Sequence, residues 1–389
     1  MIKKKIVILG STGSIGKNLL KIIKNDKKNF DVFLLSANKN ISLLIKQANE
    51  FNVKNIIISN HKFYLIAKEK LKDKKINIYN SLSTLDIILN NNKIYYSMVA
   101  IVGLDGLSPC LNVIKYSKNV AIANKESLIC GWALIKKSLK KYKVNFIPVD
   151  SEHFSIYSLV NNQNYNSIDK IFITASGGPF FKSNNVNLKN IKISEALNHP
   201  NWKMGKKISI DSSTMMNKVF EVIEAKNIFN IKYSNIKILI HPKSYVHTIL
   251  KFTNGLVKML IHDPNMKIPI FNSLYLNQDK KINSKNLDLS LLNNLELSTP
   301  CIKQFPLIKI LNHLPEFNSL YETALITIND FFVHKFLEKK ITYFLLISNI
   351  YKFSKFPDFY KFTKIPVKNI MDINKTRDYV SSKLKTLSV

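Results

Sequence analysis

The stretch IVILGSTGSIG, residues 6–16, confines the start of this chain to few folds. Four consecutive apolar residues read as a strand buried on both faces. Glycines at 10, 13 and 16 then let the backbone turn tightly into a helix whose first N–H groups, with Thr12 and Ser14, suit a phosphate. The spacing differs from the commonest dinucleotide fingerprint, and a glycine-rich turn without ligand is the plainer alternative. Its place directly after the first strand favours the phosphate loop. Further apolar runs at 32–35, 55–59, 97–102, 120–123 and 144–149 alternate with helical periodicity such as Ile15, Leu19, Ile22 and Ile23. The fold class expected is α/β, with a doubly wound, Rossmann-like parallel sheet over 1–150. Residues 151–275, with longer strands, helices and polar loops, read as a central α+β domain. Residues 276–300 are rich in Asn and Lys and read as a linker; 301–389, broken by Pro306, Pro315, Pro357 and Pro366, read as a small helical C-terminal domain.

The formal charge of +32 first suggests a nucleic acid or an anionic membrane. Arg377 is the only arginine, so 57 of the 58 basic residues are lysines, and they are spread along the whole chain. Bidentate readout of bases and phosphates favours the guanidinium, so solvated surface lysine is the better reading and an RNA-binding protein the weaker one. Cys110, Cys130 and Cys301 are too far apart for a metal site and odd in number, which argues against a disulfide framework. The apolar run near the N-terminus stops at Gly10, short of a signal-peptide core, and no stretch is long enough to span a membrane. A cytoplasmic protein with neither nucleic-acid nor membrane partner is expected.

An NAD site usually carries an acid after the second strand to accept from the ribose hydroxyls. Here the sequence is LLSANKN, in which Ser36, Asn38, Lys39 and Asn40 suit a 2′-phosphate, so NADPH is the cofactor expected.

In VDSEH, Asp150 and Glu152 stand two apart after an apolar run, and on an extended segment they project to one side. Two carboxylates held together repel unless a cation joins them, and a hard divalent ion such as Mg²⁺ or Mn²⁺, with Co²⁺ as a further candidate, takes such oxygens. A third ligand is available in DSSTMMNKVFEVIEA, where Asn217, Lys218, Glu221 and Glu224 share a helix face. A surface helix with a Lys218–Glu221 pair is the alternative, and the polar run from Asp211 to Thr214 before it favours a site. TASGGPF places Ser176 and two glycines after another strand, suited to a phosphate or, equally, to a plain turn. NHPNWKMG, residues 198–205, carries His199, Trp202 and Gly205 in a loop that reads as a lid over substrate, with a core contact for Trp202 as the alternative.

In order, GSTGSIG, ANKESL, VDSEH, SGGPF, HPNWKMG, DSSTMMNK and LIHPKS closely resemble the 1-deoxy-D-xylulose 5-phosphate reductoisomerase family over about residues 5–270. The resemblance implies a homodimer that isomerises and then reduces a sugar phosphate, 1-deoxy-D-xylulose 5-phosphate, to 2-C-methyl-D-erythritol 4-phosphate on the non-mevalonate route to isoprenoids. Residues 151–275 become the catalytic and dimerisation domain. Thr12, Gly13, Ser14, Ile15, Lys39, Asn40, Asn124, Glu126 and Gly205 fall on cofactor positions. The second strand ends in Asn38, counted with them, where the family often has glycine. Lys125, Ser151, Ser176, His199, Ser212, Asn217 and Lys218 fall on substrate positions, beside Trp202, while Asp150, Glu152 and Glu221 fall on the metal. The resemblance makes Lys125 a stabiliser of charge on oxygen and Glu152 a proton carrier. A metal-free NADP-dependent dehydrogenase is the rival enzyme reading.

Overall fold

Ile6, Val7, Ile8 and Leu9 are fully buried and end the first strand, β1 (Lys4–Leu9). Six strands join it: β2 (Phe30–Ala37), β3 (Asn55–Ile58), β4 (Asn77–Tyr79), β5 (Ile94–Val99), β6 (Ser117–Ile122) and β7 (Asn145–Pro148). All pair in parallel, in the order β4-β3-β2-β1-β5-β6-β7. The chain therefore works outward from β1 in one direction and then from β5 in the other, and the loops leaving β1 and β5 diverge at a switch point suited to a ligand. The apolar runs read from the sequence fall on β1, β2, β3, β5, β6 and β7. The short edge strand β4 carries too little apolar signal to be seen.

The computed structural model describes residues 2–72, 74–160, 165–181, 190–202, 204–276 and 278–387. They form two compact units, the first of Met1–Leu128, Leu134–Asp150 and Met266–Ile282, the second of the remainder. Helix Lys267–Leu274 belongs to the first unit because the fully buried Tyr96 hydroxyl needs a partner and finds Ser273 Oγ at 2.7 Å.

The second unit is built on a mixed sheet of β8 (Ile168–Ala175), β9 (Ile236–Ile240), β10 (Val246–Phe252) and β11 (Val257–Ile261), in the order β11-β10-β8-β9. Ile171, Ile173, Leu250 and Phe252 from the sheet share a core with Ile156 of helix Ser151–Val160 and Val222, Ala225 and Phe229 of helix Met216–Phe229. The polar stretch 276–300 includes a short helix, Leu289–Asn293, and Ser298 pairs with Ile240 in an antiparallel bridge. Residues 283–389, with helices Tyr321–Leu337, Tyr343–Ser354 and Ile370–Leu387, are part of the second unit.

One local expectation is overturned. Asp150 and Glu152 do not sit on an extended segment: β7 ends at Pro148, and Ser151 opens a helix with Glu152 in its first turn. An acid there is favoured by the helix dipole, and His153, Phe154, Ile156 and Val160 bury at helical spacing. Three residues of alternation are too few to tell a strand end from a helix start.

At the start of helix Tyr321–Leu337, Ser319 N and Oγ donate to Glu322 Oε2 at 3.1 and 2.5 Å. Glu322 is fully buried, and burial pushes its carboxyl up to about 7, against hydrogen bonds from Ser319 that pull the other way. A carboxyl raised in the folded state contributes its full stability below the ordinary value, and that is lost as pH rises toward 7. The loss amounts to about 3 kcal/mol at most. Glu322→Gln should therefore match the wild-type Tm at pH 5 and exceed it by a few degrees at pH 8; a pH-independent difference would show that ionisation of Glu322 costs nothing.

Candidate active site

In the first unit, the loop after β1 passes close beneath the chain leaving β5. Gly10 has φ +87°, and a Cβ on it would meet Ala100 O at 2.5 Å, so only glycine fits there. The loop is tied from below. Ser36 Oγ accepts from Gly10 N at 3.0 Å, Ser11 Oγ donates to Gln47 Oε1 at 2.8 Å, and Gln47 Nε2 donates back to Ser11 O at 3.0 Å. Ser36 is therefore removed from the groups expected at a 2′-phosphate: it is buried under the loop and spent on it. Gln47 has no sequence signal beyond its place on an amphipathic helix. Above them Gly13 caps helix Ser14–Lys24 with no side chain on its N–H groups; Gly13 and Ser14 are exposed and Thr12 and Ile15 half-buried. An uncapped helix N-terminus at a switch point fits an anion such as a dinucleotide phosphate. Asn38, Lys39 and Asn40 are exposed beyond β2, Asn40 also capping helix Ile41–Glu50 through Leu43 N at 3.2 Å.

Asn124 is buried and holds the β6 loop. Its Oδ1 accepts from Ser127 N at 2.7 Å, capping helix Lys125–Tyr142, and its Nδ2 donates to Gly103 O at 2.9 Å and Glu126 Oε2 at 3.2 Å. Lys125, at the start of that helix, pairs with Asp150 at 3.0 Å, both side chains 16% exposed.

Asp150, the residue before the second unit, is joined by one peptide to the helix that carries Glu152, and Glu221 comes from helix Met216–Phe229. One oxygen from each of the three lies within 4.8 Å of the others, a hard donor set matched to a divalent cation. Helix Met216–Phe229 is not a surface helix: Lys218, Glu221 and Glu224 are all buried. Lys218 Nζ donates to Glu152 Oε1 at 2.9 Å and to Glu221 Oε2, whose other oxygen accepts from Asn217 Nδ2. Burial would pull the Lys218 ammonium down, but Glu152 and Glu221 outweigh it and hold its pKa above the ordinary lysine value.

His153 was present in the VDSEH motif without a role, and the structure supplies one. Its Nε2 faces Glu221 O at 2.9 Å; a carbonyl only accepts, so Nε2 carries the hydrogen. Nδ1 then faces Glu224 Oε1 at 3.5 Å, with the ring stacked near Phe229. Asp150, His153 and Glu224 form a second group within 4.8 Å, but His153 and Glu224 are sealed, at 0% and 1% exposure.

Gly178, at φ +67°, would bring a Cβ within 3.1 Å of Ser212 O, so its bareness allows the SGGPF loop to lie against the end of helix Lys206–Ser213 and sets Ser176 and Ser212 on neighbouring segments. His199 Nδ1 accepts from Asn201 N at 3.2 Å and Trp202 N at 3.0 Å, so it is bare, and Nε2 donates to Ser176 Oγ at 2.9 Å. Ser176 Oγ accepts from Gly178 N as well, at 3.0 Å, which leaves its own hydrogen to donate to an anion. Burial, then the charge of Lys218, lowers His199 to about 4. Its imidazole should thus stay neutral in NMR titration down to about pH 5; a midpoint near the ordinary 6.5 would contradict this geometry. Asn201 Nδ2 fastens the same loop to Pro242 O at 2.6 Å and Ser244 Oγ at 2.8 Å, and Trp202 meets His247 edge-on. Gly205 ends the loop as the N-cap of helix Lys206–Ser213; Lys203 lies outside the described residues.

Three family models match: 1-deoxy-D-xylulose 5-phosphate reductoisomerase over residues 6–131, its C-terminal domain over 146–229, and the DXP reductoisomerase C-terminal domain over 261–379. The 1-deoxy-D-xylulose 5-phosphate reductoisomerase of Pelagibacter ubique is 55% identical over 99% of this chain and 100% of its own length. The Zymomonas mobilis reductoisomerase solved in complex with NADPH superposes with a TM-score of 0.88 at 28% identity, covering 99% of both chains. A DOX-P reductoisomerase in complex with NADPH, fosmidomycin and magnesium gives 0.89 at 30% identity, again over 99% of both. Matched along almost its whole length at such identity, the chain belongs to the 1-deoxy-D-xylulose 5-phosphate reductoisomerase family.

Proposed function

We propose that this protein is a divalent-metal-dependent, NADP-dependent oxidoreductase that isomerises 1-deoxy-D-xylulose 5-phosphate and reduces the product to 2-C-methyl-D-erythritol 4-phosphate, working as a cytoplasmic homodimer. The observation that carries the reading is the three-carboxylate set of Asp150, Glu152 and Glu221, found in a chain that also has an uncapped phosphate loop at a parallel-sheet switch point. No helix among the described residues is long and apolar enough to cross a membrane.

The residue roles proposed are those the family resemblance implies. Thr12, Gly13, Ser14 and Ile15 receive the cofactor pyrophosphate, Asn38, Lys39 and Asn40 the 2′-phosphate, and Asn124, Glu126 and Gly205 its remaining contacts. Asp150, Glu152 and Glu221 hold Mg²⁺ or Mn²⁺. The ion supplies Lewis acidity toward the carbonyl and hydroxyl oxygens while the carbon skeleton rearranges. Lys125, next to Asp150, stabilises charge on oxygen, and Glu152, hydrogen-bonded by Ser151 Oγ at 2.5 Å, moves the proton. Ser176, whose hydroxyl hydrogen is left to donate once Oγ accepts from His199 and Gly178, joins Ser212, Asn217 and Lys218 in binding the substrate phosphate, which fixes the reacting end by position. Trp202 closes over the substrate on a loop pinned by Asn201.

The test is oxidation of NADPH, followed by absorbance, with 1-deoxy-D-xylulose 5-phosphate and Mn²⁺. Turnover that chelator abolishes and added metal restores supports the reading, and turnover undiminished in chelator rejects it. Because Lys39 is exposed and its assigned contact is with the 2′-phosphate alone, Lys39→Ala should raise KM for NADPH and leave kcat unchanged, reducing the preference over NADH. An unaltered KM would take Lys39 out of the site.

A further inference from the structure

We propose that Lys218 is a place-holding cation: it competes with the divalent ion for Glu152 and Glu221, so that metal entry hands Lys218 over to the substrate phosphate. The inference rests on the reading of Asp150, Glu152 and Glu221 as metal ligands. Lys218 Nζ bridges Glu152 Oε1, at 2.9 Å, and Glu221 Oε2, and its side chain is only 5% exposed. A divalent ion needs those oxygens at about 2.0–2.6 Å. An ammonium retained on the same two carboxylates would stand a few ångströms from a doubly charged ion, where little water screens the repulsion. One cation must leave the pair.

Lys218 has a flexible four-carbon stem and a direction in which to go. Its charge already acts on His199, whose Nε2 is hydrogen-bonded to Ser176 Oγ at 2.9 Å, so the Ser176–His199 pair lies within its electrostatic reach. Asn217, the next residue back, is likewise held by Glu221, through Oε1. A cation held by Glu221 would therefore compete with two phosphate-binding donors, Lys218 and Asn217, for the same carboxylate. The converse follows: an anion that draws Lys218 toward Ser176 uncovers the carboxylates for the metal. Linkage requires each ligand to tighten the other by the same factor.

Mn²⁺ binding to the NADPH-loaded protein, read from the loss of free-ion EPR signal against a protein-free control, tests this without turnover. In the wild type, millimolar inorganic phosphate should tighten Mn²⁺ by about fivefold or more. Without phosphate, Lys218→Gln should bind Mn²⁺ on the order of tenfold more tightly than wild type, and its response to phosphate should fall close to one. Equal Mn²⁺ affinity in wild type and Lys218→Gln, or undiminished coupling in the variant, overturns the exchange. If Lys218→Gln does not fold, the wild-type measurement decides alone, absence of coupling counting against the proposal. Glu221→Gln separates the two layers: weaker Mn²⁺ binding in it with no change in Lys218→Gln rejects only the exchange, whereas wild-type affinity in Glu221→Gln rejects the metal site itself.

Discussion

Glu221→Gln is expected to lower kcat on the order of 10²–10³-fold while leaving the protein folded and NADPH affinity close to wild type. The size of the loss follows from what the residue does. An electrostatic contact to charge that develops on oxygen is worth most in a dry site, and an amide supplies neither the negative charge nor the affinity that keeps a divalent ion in place. Folding should survive, because within the second unit Glu152 and Glu221 bring two negative charges to the single ammonium of Lys218. Neutralising Glu221 leaves a one-to-one pair between Lys218 and Glu152, and a glutamine oxygen still accepts from Asn217. Glu152→Gln and Asp150→Asn should behave alike in kcat. Near-normal kcat together with normal Mn²⁺ affinity in Glu221→Gln would remove it from the ligand set.

How much of this was legible in the sequence varied with the range of the interaction. Strands buried on both faces announce themselves as apolar runs, so six of the seven parallel strands could be read, and the glycine loop after the first could be read with them. Conformation at the junction of strand and helix could not: the same residues, Asp150 to Glu152, suit a strand end or a first helical turn, and the choice is made by how His153, Ile156 and Val160 pack. Ser36 was misplaced for a related reason, since a serine at the end of β2 looks the same whether it turns to solvent or under the neighbouring loop. The resemblance named Glu152 and Glu221 together, but only the fold shows Lys218 bound between them. His153, Gln47 and Glu322 were invisible as participants, because each acts through a partner 68, 36 or 3 residues away whose proximity is a product of packing or of how a helix begins.

The two acids on helix Met216–Phe229 should separate cleanly. Glu224→Leu is expected to cost about 3 kcal/mol or more in urea unfolding, because it replaces a buried carboxylate facing Nδ1 of a fully buried histidine with a side chain that can make no polar contact. Glu224→Gln should cost less, about 1–2 kcal/mol, since an amide N–H can donate to Nδ1 while Nε2 keeps its bond to Glu221 O. In both, kcat should stay within about tenfold of wild type, the modest loss expected when a group that orients a ligand is altered. This is the reverse of Glu221→Gln, and the reversal is informative because the geometry offers two three-donor groups that share Asp150, one completed by Glu152 and Glu221 and the other by His153 and Glu224. Three carboxylate oxygens suit a hard ion better than a set that includes an imidazole sealed against Phe229. If Glu224→Gln lost kcat and Mn²⁺ affinity as severely as Glu221→Gln is expected to, the ion would have to be moved to the second group. If Glu224→Leu unfolded no more readily than wild type, His153 would not be bracing the two ligand-bearing helices at all.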